Sequence, residues 1–415
     1  MIISCLRRAS LYAPSNLQGF RTHYTEVVVL GKPWEIHSVE TVAQVEKCEE
    51  PMPVLGNNRR FAQDRVHHLS TSVDHTPFRN DSHFEDFPSP PGPRPYHMDL
   101  GDILHQSEMA QIANTKRLVF HTTGDTGNFK NDFQIQVADL LRADAEKSDP
   151  KFLYHLGDVI YDYGEDREYP DQFYEIYKGY QVPIVAIPGN HDGAEFNGGP
   201  DSLTGFMTNF CDSRPRVPPS LRAIGVDFGR DTMTQPNCYW MLNTPFFTLI
   251  GLYTNVPSGG QVREPQVTWF NDEMKNADKN KKLIVAMHHP VHSLAKNKSH
   301  KGSPDMGRLL TDACNISGRV PELVLCGHVH NYQRFEAKIN GKKCVFVVAG
   351  CGGHAKDPLD MEVSTNTPAP NDPGVTVNFA TTEYVGFVRM TATPDKITGE
   401  YIAVGQSDPV DHFEV

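Results

Sequence analysis

IVAIPGNHDG, residues 184–193, joins two kinds of sequence. Ile184 to Ile187 is an apolar run, Pro188-Gly189 stops it, and Asn190, His191 and Asp192 follow at once. A short apolar run closed by turn residues reads as a buried strand. The three polar side chains at its carboxyl end carry metal-binding or proton-transfer chemistry. Two upstream segments repeat the pattern: RLVFHTTGDTGN (117–128) and KFLYHLGDVIYDYG (151–164) contain strands that also end in Gly followed by an acid, Asp125 and Asp158. Asp125 to Asp158 is 33 residues and Asp158 to Asn190 is 32, an interval that fits one βαβ unit of roughly 30 residues. Between them, Phe133, Val137, Leu140 and Leu141 share one helical face, and PDQFYEIYKGY (170–180) is a second helix candidate. The fold class is α/β, with three neighbouring parallel strands bringing their polar tips to the sheet edge where such folds place their sites.

The same character continues downstream. CYWMLNTPFFTLIGLYT (238–254), KKLIVAMHHPV (281–291), PELVLCGHVHNYQRF (321–335) and CVFVVAGCGG (344–353) read as strands, with helices expected in PQVTWFNDEMKNAD (265–278) and MGRLLTDACN (306–315). YVGFVRMTATPDKITGEYIAV (384–404) closes the domain as a hairpin. Two inserts, 193–237 and 353–380, are rich in Gly, Pro and Asp and read as lids or binding loops. The catalytic domain is placed at 116–408. Residues 76–115 are read as a Pro-rich linker or strap, because Pro88, Pro90, Pro91, Pro93 and Pro95 exclude helix there and disfavour a central strand. Residues 1–75 form an N-terminal extension of unassigned role, with a β-like run TEVVVLG (25–31) and a polar helix candidate ETVAQVEKCEE (40–50).

Composition narrows the function. The chain has 415 residues, 39% hydrophobic and 22% charged, with a formal charge of −12, as expected of a soluble globular protein without a membrane span. An acidic balance and the lack of a basic, aromatic-interleaved tract argue against nucleic acid or anionic lipid as partner; an anionic substrate would need bound cations to attract it. Arg7 and Arg8 are not followed by the apolar run of a secretory signal, so the expected compartment is the cytoplasm, unless the true start is missing. The eight Cys are dispersed with no CxxC pair, which suggests reduced thiols; Cys211 and Cys238 are the pair to inspect.

The chemistry lies in the strand tips. Asp125, Asp158 with Tyr161, Asn190 with His191, His288 with His289, and His328 with His330 all follow apolar runs, and their order fits one sheet. Each alone is an ordinary turn or core residue; five together point to a metal site. Carboxylates bridge two cations, an amide oxygen adds a neutral donor, and imidazoles suit Fe, Zn or Mn. Two such ions clamp a phosphoryl oxygen and activate water, the chemistry of phosphate-ester hydrolysis.

The ordered set GDTG (124–127), GDVIY (157–161), GNHD (189–192), HHP (288–290) and GHVH (327–330) resembles the calcineurin-like metallophosphoesterases and, within them, the purple acid phosphatases. The subgroup rests on two positions. Gly127 stands where most relatives carry a metal-binding His in Asp-x-His, and Tyr161 supplies a phenolate. GHVHNYQR (327–334) resembles the plant-like members, which usually carry Glu where Gln333 stands. The resemblance spans about 117–353. It implies a four-layer α/β/β/α sandwich, here with an irregular N-terminal extension, and two metal ions. Fe(III) would be held by Asp125, Asp158, Tyr161 and His330, and Fe, Zn or Mn by Asp158, Asn190, His288 and His328, Asp158 bridging. It also implies attack of metal-bound hydroxide on the phosphorus of a small-molecule phosphate monoester, with His191 as a catalytic and substrate-binding group.

Several positions stay open at this level. His289 is read either as a substrate contact or as a residue packed behind His288. His300 in VHSLAKNKSHKGS (291–303) is the candidate proton donor to the leaving group, or else a solvent-facing loop residue. Asp192 is read as a turn residue or one packed behind the ligands, and His354 as a surface loop residue or, because its Gly-rich turn follows another core strand, one near the site. A phosphodiesterase or nucleotidase on the same site is the alternative activity, and a non-catalytic phosphate-binding protein the alternative class, though no ligand is missing.

Overall fold

The computed structural model describes residues 86–128, 131–196, 198–254, 260–360, 366–370 and 372–415, together with the backbone of 20–23 and 44–47. The chain divides into two compact units, Met1–Thr71 and Ser72–Val415. In the first, β1 (Phe20–His23) pairs antiparallel with β2 (Gln44–Lys47). The helix expected over 40–50 is therefore replaced in part by strand: a short polar segment has no apolar face to stabilise a helix, and pairing with β1 takes up its backbone groups instead. The run TEVVVLG lies outside the described residues.

The second unit carries two sheets. β3 (His97–Asp99), which follows the cluster of prolines, pairs with β7 (Trp240–Asn243) at the edge of the larger sheet, where prolines are tolerated. The segment read as a strap thus supplies an edge strand and, beyond it, the helix Gln106–Thr115. β4 (Leu118–Thr123), β5 (Leu153–His155) and β6 (Ile184–Ala186) are parallel neighbours in that order, as the regular spacing predicts. β7, β8 (Phe247–Leu252), β9 (Lys282–Met287), β10 (Leu323–Cys326), β11 (Tyr332–Ile339), β12 (Lys342–Ala349), β13 (Thr367–Ala369) and β14 (Asp372–Thr381) join β3 in a nine-stranded sheet of order β13-β14-β11-β12-β10-β9-β8-β7-β3. β15 (Gly386–Ala392), β16 (Ile397–Ala403) and β17 (Asp411–Glu414) complete a six-stranded sheet of order β17-β16-β15-β4-β5-β6.

The tips expected on one sheet edge are consequently split between two sheets. Asp125, Asp158 and Asn190 follow strands of the smaller sheet, while His288 and His328 follow β9 and β10 of the larger. The central strands β4, β8 and β10 are buried at every position, as strands covered on both faces are. Phe120 of β4 meets Phe247 of β8 with centroids 5.2 Å apart, and the Trp240 indole donates to the Ala186 carbonyl at 3.0 Å, so the sheets pack face to face. The helix Phe133–Ser148 covers the outer side of the smaller sheet at β15; Gln266–Asn276, packed on Pro304–Ser317, covers the larger at β8. The result is a helix/sheet/sheet/helix sandwich.

Both inserts are more regular than expected. Residues 193–237 contain helices Thr204–Phe210 and Pro219–Ile224, and 353–380 contains β13 and most of β14. Val375 and Val377 of β14 are buried in alternation, a period of two that the surrounding Gly and Pro obscure. Cys211 and Cys238 are both buried and free. No helix among the described residues is long and apolar enough to cross a membrane.

The domain also runs past residue 408. Asp411 on β17 takes the Arg334 guanidinium in two hydrogen bonds of 2.7 and 2.8 Å and the Tyr332 hydroxyl at 2.7 Å, joining the smaller sheet to β11 of the larger. Asp411→Ala leaves a largely buried Arg334 without its counter-charge. Its expected cost is about 3 kcal/mol in a urea melt, with the far-UV spectrum unchanged.

Candidate metal centre

Each tip is held in place by its turn. Asp125, Asp158 and His328 have φ of 58°, 51° and 69°, a left-handed backbone that non-Gly residues adopt at a cost of about 1–3 kcal/mol and that concentrates at functional sites. Gly157 makes one of these turns possible. A Cβ there would lie 2.5 Å from the Gly189 nitrogen and 2.7 Å from His288 Nδ1, so the turns after β5, β6 and β9 close on one another only without it. Asp192, one of the open positions, binds two of these turns together: its buried carboxylate accepts from Val159 N at 3.0 Å and Gly189 N at 2.8 Å.

Two sets of donor atoms converge at the strand ends. In the first, the Tyr161 hydroxyl lies 3.0 Å from Asp158 Oδ2, 3.4 Å from Asp125 Oδ1 and 3.4 Å from His330 Nε2, and His330 Nε2 lies 3.6 Å from Asp125 Oδ1. In the second, His288 Nε2 lies 3.3 Å from Asp158 Oδ2 and 3.1 Å from Asn190 Oδ1, and His328 Nδ1 lies 3.0 Å from the same amide oxygen. Asp158 belongs to both sets. Its other oxygen accepts from His191 N at 2.8 Å.

The second nitrogen of each imidazole is engaged elsewhere. His288 Nδ1 donates to the Leu156 carbonyl at 2.8 Å and His328 Nε2 to the Ser299 carbonyl at 3.1 Å. His330 Nδ1 faces Asp357 Oδ2 at 3.6 Å. For His288 and His328 this outer bonding sets the ring orientation and turns the other nitrogen inward, as in histidines that bind metals.

The electrostatics ask for positive charge. Burial, reinforced by the neighbouring Asp158, pushes the Asp125 carboxyl well above its usual range. Burial acts on Asp158 in the same direction but is outweighed by His288 and His191, which hold it well below. His288, although buried, is raised to about 9 by Asp158. Burial and the two carboxylates drive the Tyr161 phenol well up, so a phenolate there requires a strong cation beside it. Two buried carboxylates, a phenol and imidazoles turned toward them supply the donor types that suit a pair of metal ions.

The remaining candidates fall on three sides. The His191 ring lies against Tyr161 at 4.3 Å and its Nδ1 donates to the Asp162 carbonyl at 2.7 Å, which leaves Nε2 outward. His300 is brought to the site: its ring stands 4.7 Å from His328 and 5.0 Å from His330, and its Nδ1 bonds Asp357 Oδ2. His289 is buried, bonded to Thr254 Oγ1 at 2.5 Å and packed on His328 at 4.2 Å. His354, open between a surface loop and a place near the site, stacks on Tyr161 with centroids 3.5 Å apart. Asp357, Gln172 and Thr254 are not legible as site residues in the sequence: Asp357 and Gln172 lie away from the strand-end motifs, Thr254 follows the end of β8 without a metal-binding side chain, and only the folded chain brings them in.

Known proteins agree with this architecture. The sequence profile described as calcineurin-like phosphoesterase matches residues 118–332, more than half of the chain. Purple acid phosphatase 21 of Arabidopsis thaliana is 27% identical over 132 residues, which are 30% of this chain and 29% of that protein, so the match spans less than a third of its length. The solved purple acid phosphatase from yellow lupin (Lupinus luteus) seeds shares the fold, with a TM-score of 0.52 and 18% identity over 72% of this chain and 53% of that one. With the matched region running from β4 to the start of β11 and containing every strand-end motif, the chain belongs to the calcineurin-like phosphoesterase family.

Proposed function

We propose that the protein is a binuclear metal-dependent hydrolase of small phosphate monoesters, of purple acid phosphatase type. One observation carries this reading: two sets of converging donor atoms share the single buried carboxylate of Asp158. Asp125, Asp158, Tyr161 and His330 would hold the first ion, Fe(III), and Asp158, Asn190, His288 and His328 a divalent Fe, Zn or Mn. When bound, the ions would polarise the phosphoryl oxygens and lower the pKa of water.

The chain's own groups do the rest. His191, fixed by its bond to the Asp162 carbonyl, presents Nε2 to a phosphoryl oxygen. Asp357 keeps a proton on His300 Nδ1 and sets the ring's direction, so that Nε2 can deliver a proton to the departing alkoxide. His289, enclosed behind His328, orients that ligand instead of touching substrate.

A visible spectrum with elemental analysis of the purified protein tests the reading. The expected result is about two metals per chain and a violet charge-transfer band that Tyr161→Phe removes. A colourless protein with two Zn or Mn ions sinks the Fe(III) assignment, and faster turnover of bis-p-nitrophenyl phosphate than of p-nitrophenyl phosphate sinks the monoester preference.

A further inference from the structure

We infer that Gln172 is a positioning residue for the Tyr161 phenol, and that Gly127 is the space its amide needs; the inference rests on the proposed binuclear centre. Tyr161 stands in the irregular segment after β5. Both of its backbone polar groups are taken by one side chain: its N–H donates to Gln172 Oε1 at 2.8 Å, and Gln172 Nε2 donates to its carbonyl. Gln172 is fully buried. Its amide has only one workable orientation, with oxygen toward the Tyr161 N–H and the NH2 toward the carbonyl. Gln172 is itself anchored, since its backbone carbonyl accepts from Gln134 Nε2 at 2.6 Å.

The far side of the amide abuts Gly127. A Cβ at that position would lie 2.5 Å from Gln172 Oε1, 2.6 Å from Ile160 Cα and 2.9 Å from the Val159 carbonyl, so the amide and the backbone just before Tyr161 together exclude a side chain there. The Gly127 carbonyl is also the acceptor for His354 Nδ1 at 2.6 Å, and the His354 ring lies flat on Tyr161 at an interplanar angle of 12°. One residue without a side chain therefore admits the amide that fixes the Tyr161 backbone and anchors the ring that fixes its face. The absence of a side chain at 127 and the presence of a phenol at 161 have a common packing cause. A metal-binding constellation tolerates only about 0.5 Å and 10–20° of misplacement, and a tyrosine in irregular backbone meets that only if its main chain is held.

The test uses the full-length, iron-loaded protein with Gln172→Met, which keeps the length of the side chain and removes both hydrogen bonds, and Gln172→Asn, which keeps an amide too short to reach both groups. Circular dichroism checks folding; the readouts are the violet band per bound iron and the release of each metal to a chelator. Loss of an outer-shell partner typically costs about 10–100-fold in metal affinity. The expected result is iron released about tenfold or more readily, with a weakened or shifted band and the divalent ion's release unchanged. Gly127→Ala, whose methyl would press on the amide and on the Val159–Ile160 backbone, is expected to give the same selective loss, and if neither Gln172 variant folds, a Gly127→Ala protein with the wild-type band and iron release overturns the inference. A folded variant with the wild-type band and wild-type iron release overturns the role of Gln172 alone. A wild-type protein with no violet band overturns the metal reading and this inference with it.

Discussion

Asp158→Asn is expected to lower kcat/KM for p-nitrophenyl phosphate by about a thousandfold or more, since the stabilisation supplied by metal ions amounts to several kcal/mol and about 4 kcal/mol corresponds to that factor. The substitution keeps the side chain's size and removes the only charge common to both donor sets. It also sets amide hydrogens where an oxygen now lies 3.3 Å from His288 Nε2 or accepts from His191 N at 2.8 Å. Metal content is expected to fall from two per chain to less than one. An Asp158→Asn protein that retains both metals and stays within tenfold of the wild-type rate would falsify the bridging role.

That role is within reach of the sequence because Asp158 sits in the middle of a regular pattern. Three strands spaced by 33 and 32 residues, each ending in Gly and a polar residue, leave little freedom: they emerge as parallel neighbours β4, β5 and β6. Periodicity says that a segment is a strand but not which strand it pairs with. His288 and His328 therefore fit one sheet by order alone and arrive from another in the fold. The division into two sheets follows from the family resemblance rather than from the residues.

The surrounding shell is less legible, for a physical reason. The proposed ligands sit at strand ends and carry a local signature; the groups that pack around them come from wherever the chain folds back. Asp357 lies in an insert whose Gly and Pro content suggests only a loop, yet it receives His300 Nδ1 and the His330 backbone N–H, the latter at 3.0 Å. His354 follows a core strand, which allows a place near the site, but nothing in its Gly-rich turn separates that from a surface loop or shows that the ring closes over Tyr161. Gln172 reads as one polar position on a short helix. For Asp357 and His354 the informative contacts span tens to hundreds of residues, more than a local window holds; Gln172 is only 11 residues from Tyr161, but no period in the irregular segment between them pairs the two.

His300→Ala is expected to separate substrates by their leaving groups. Proton transfer to a departing oxygen contributes about 10²–10⁴-fold where that oxygen is strongly basic. kcat for an alkyl phosphate such as glycerol 2-phosphate should therefore fall by about two to three orders of magnitude, while p-nitrophenyl phosphate, whose leaving group departs without a proton, should lose far less. The ring stands beside both donor sets, 4.7 Å from His328 and 5.0 Å from His330, yet supplies no ligand atom to either proposed ion. Metal content should accordingly stay at two per chain. Asp357→Asn should reproduce the pattern more weakly, since it removes the charge that directs His300 without removing the proton carrier. It also faces His330, so some iron loss is expected from Asp357→Asn and none from His300→Ala. Equal losses on both substrates in His300→Ala, or loss of metal in that variant, would mean that His300 supports the centre rather than protonating the leaving group. The selective outcome would place the proton donor on the loop between β9 and the helix Pro304–Ser317, carried by the larger sheet opposite the three motifs of the smaller one.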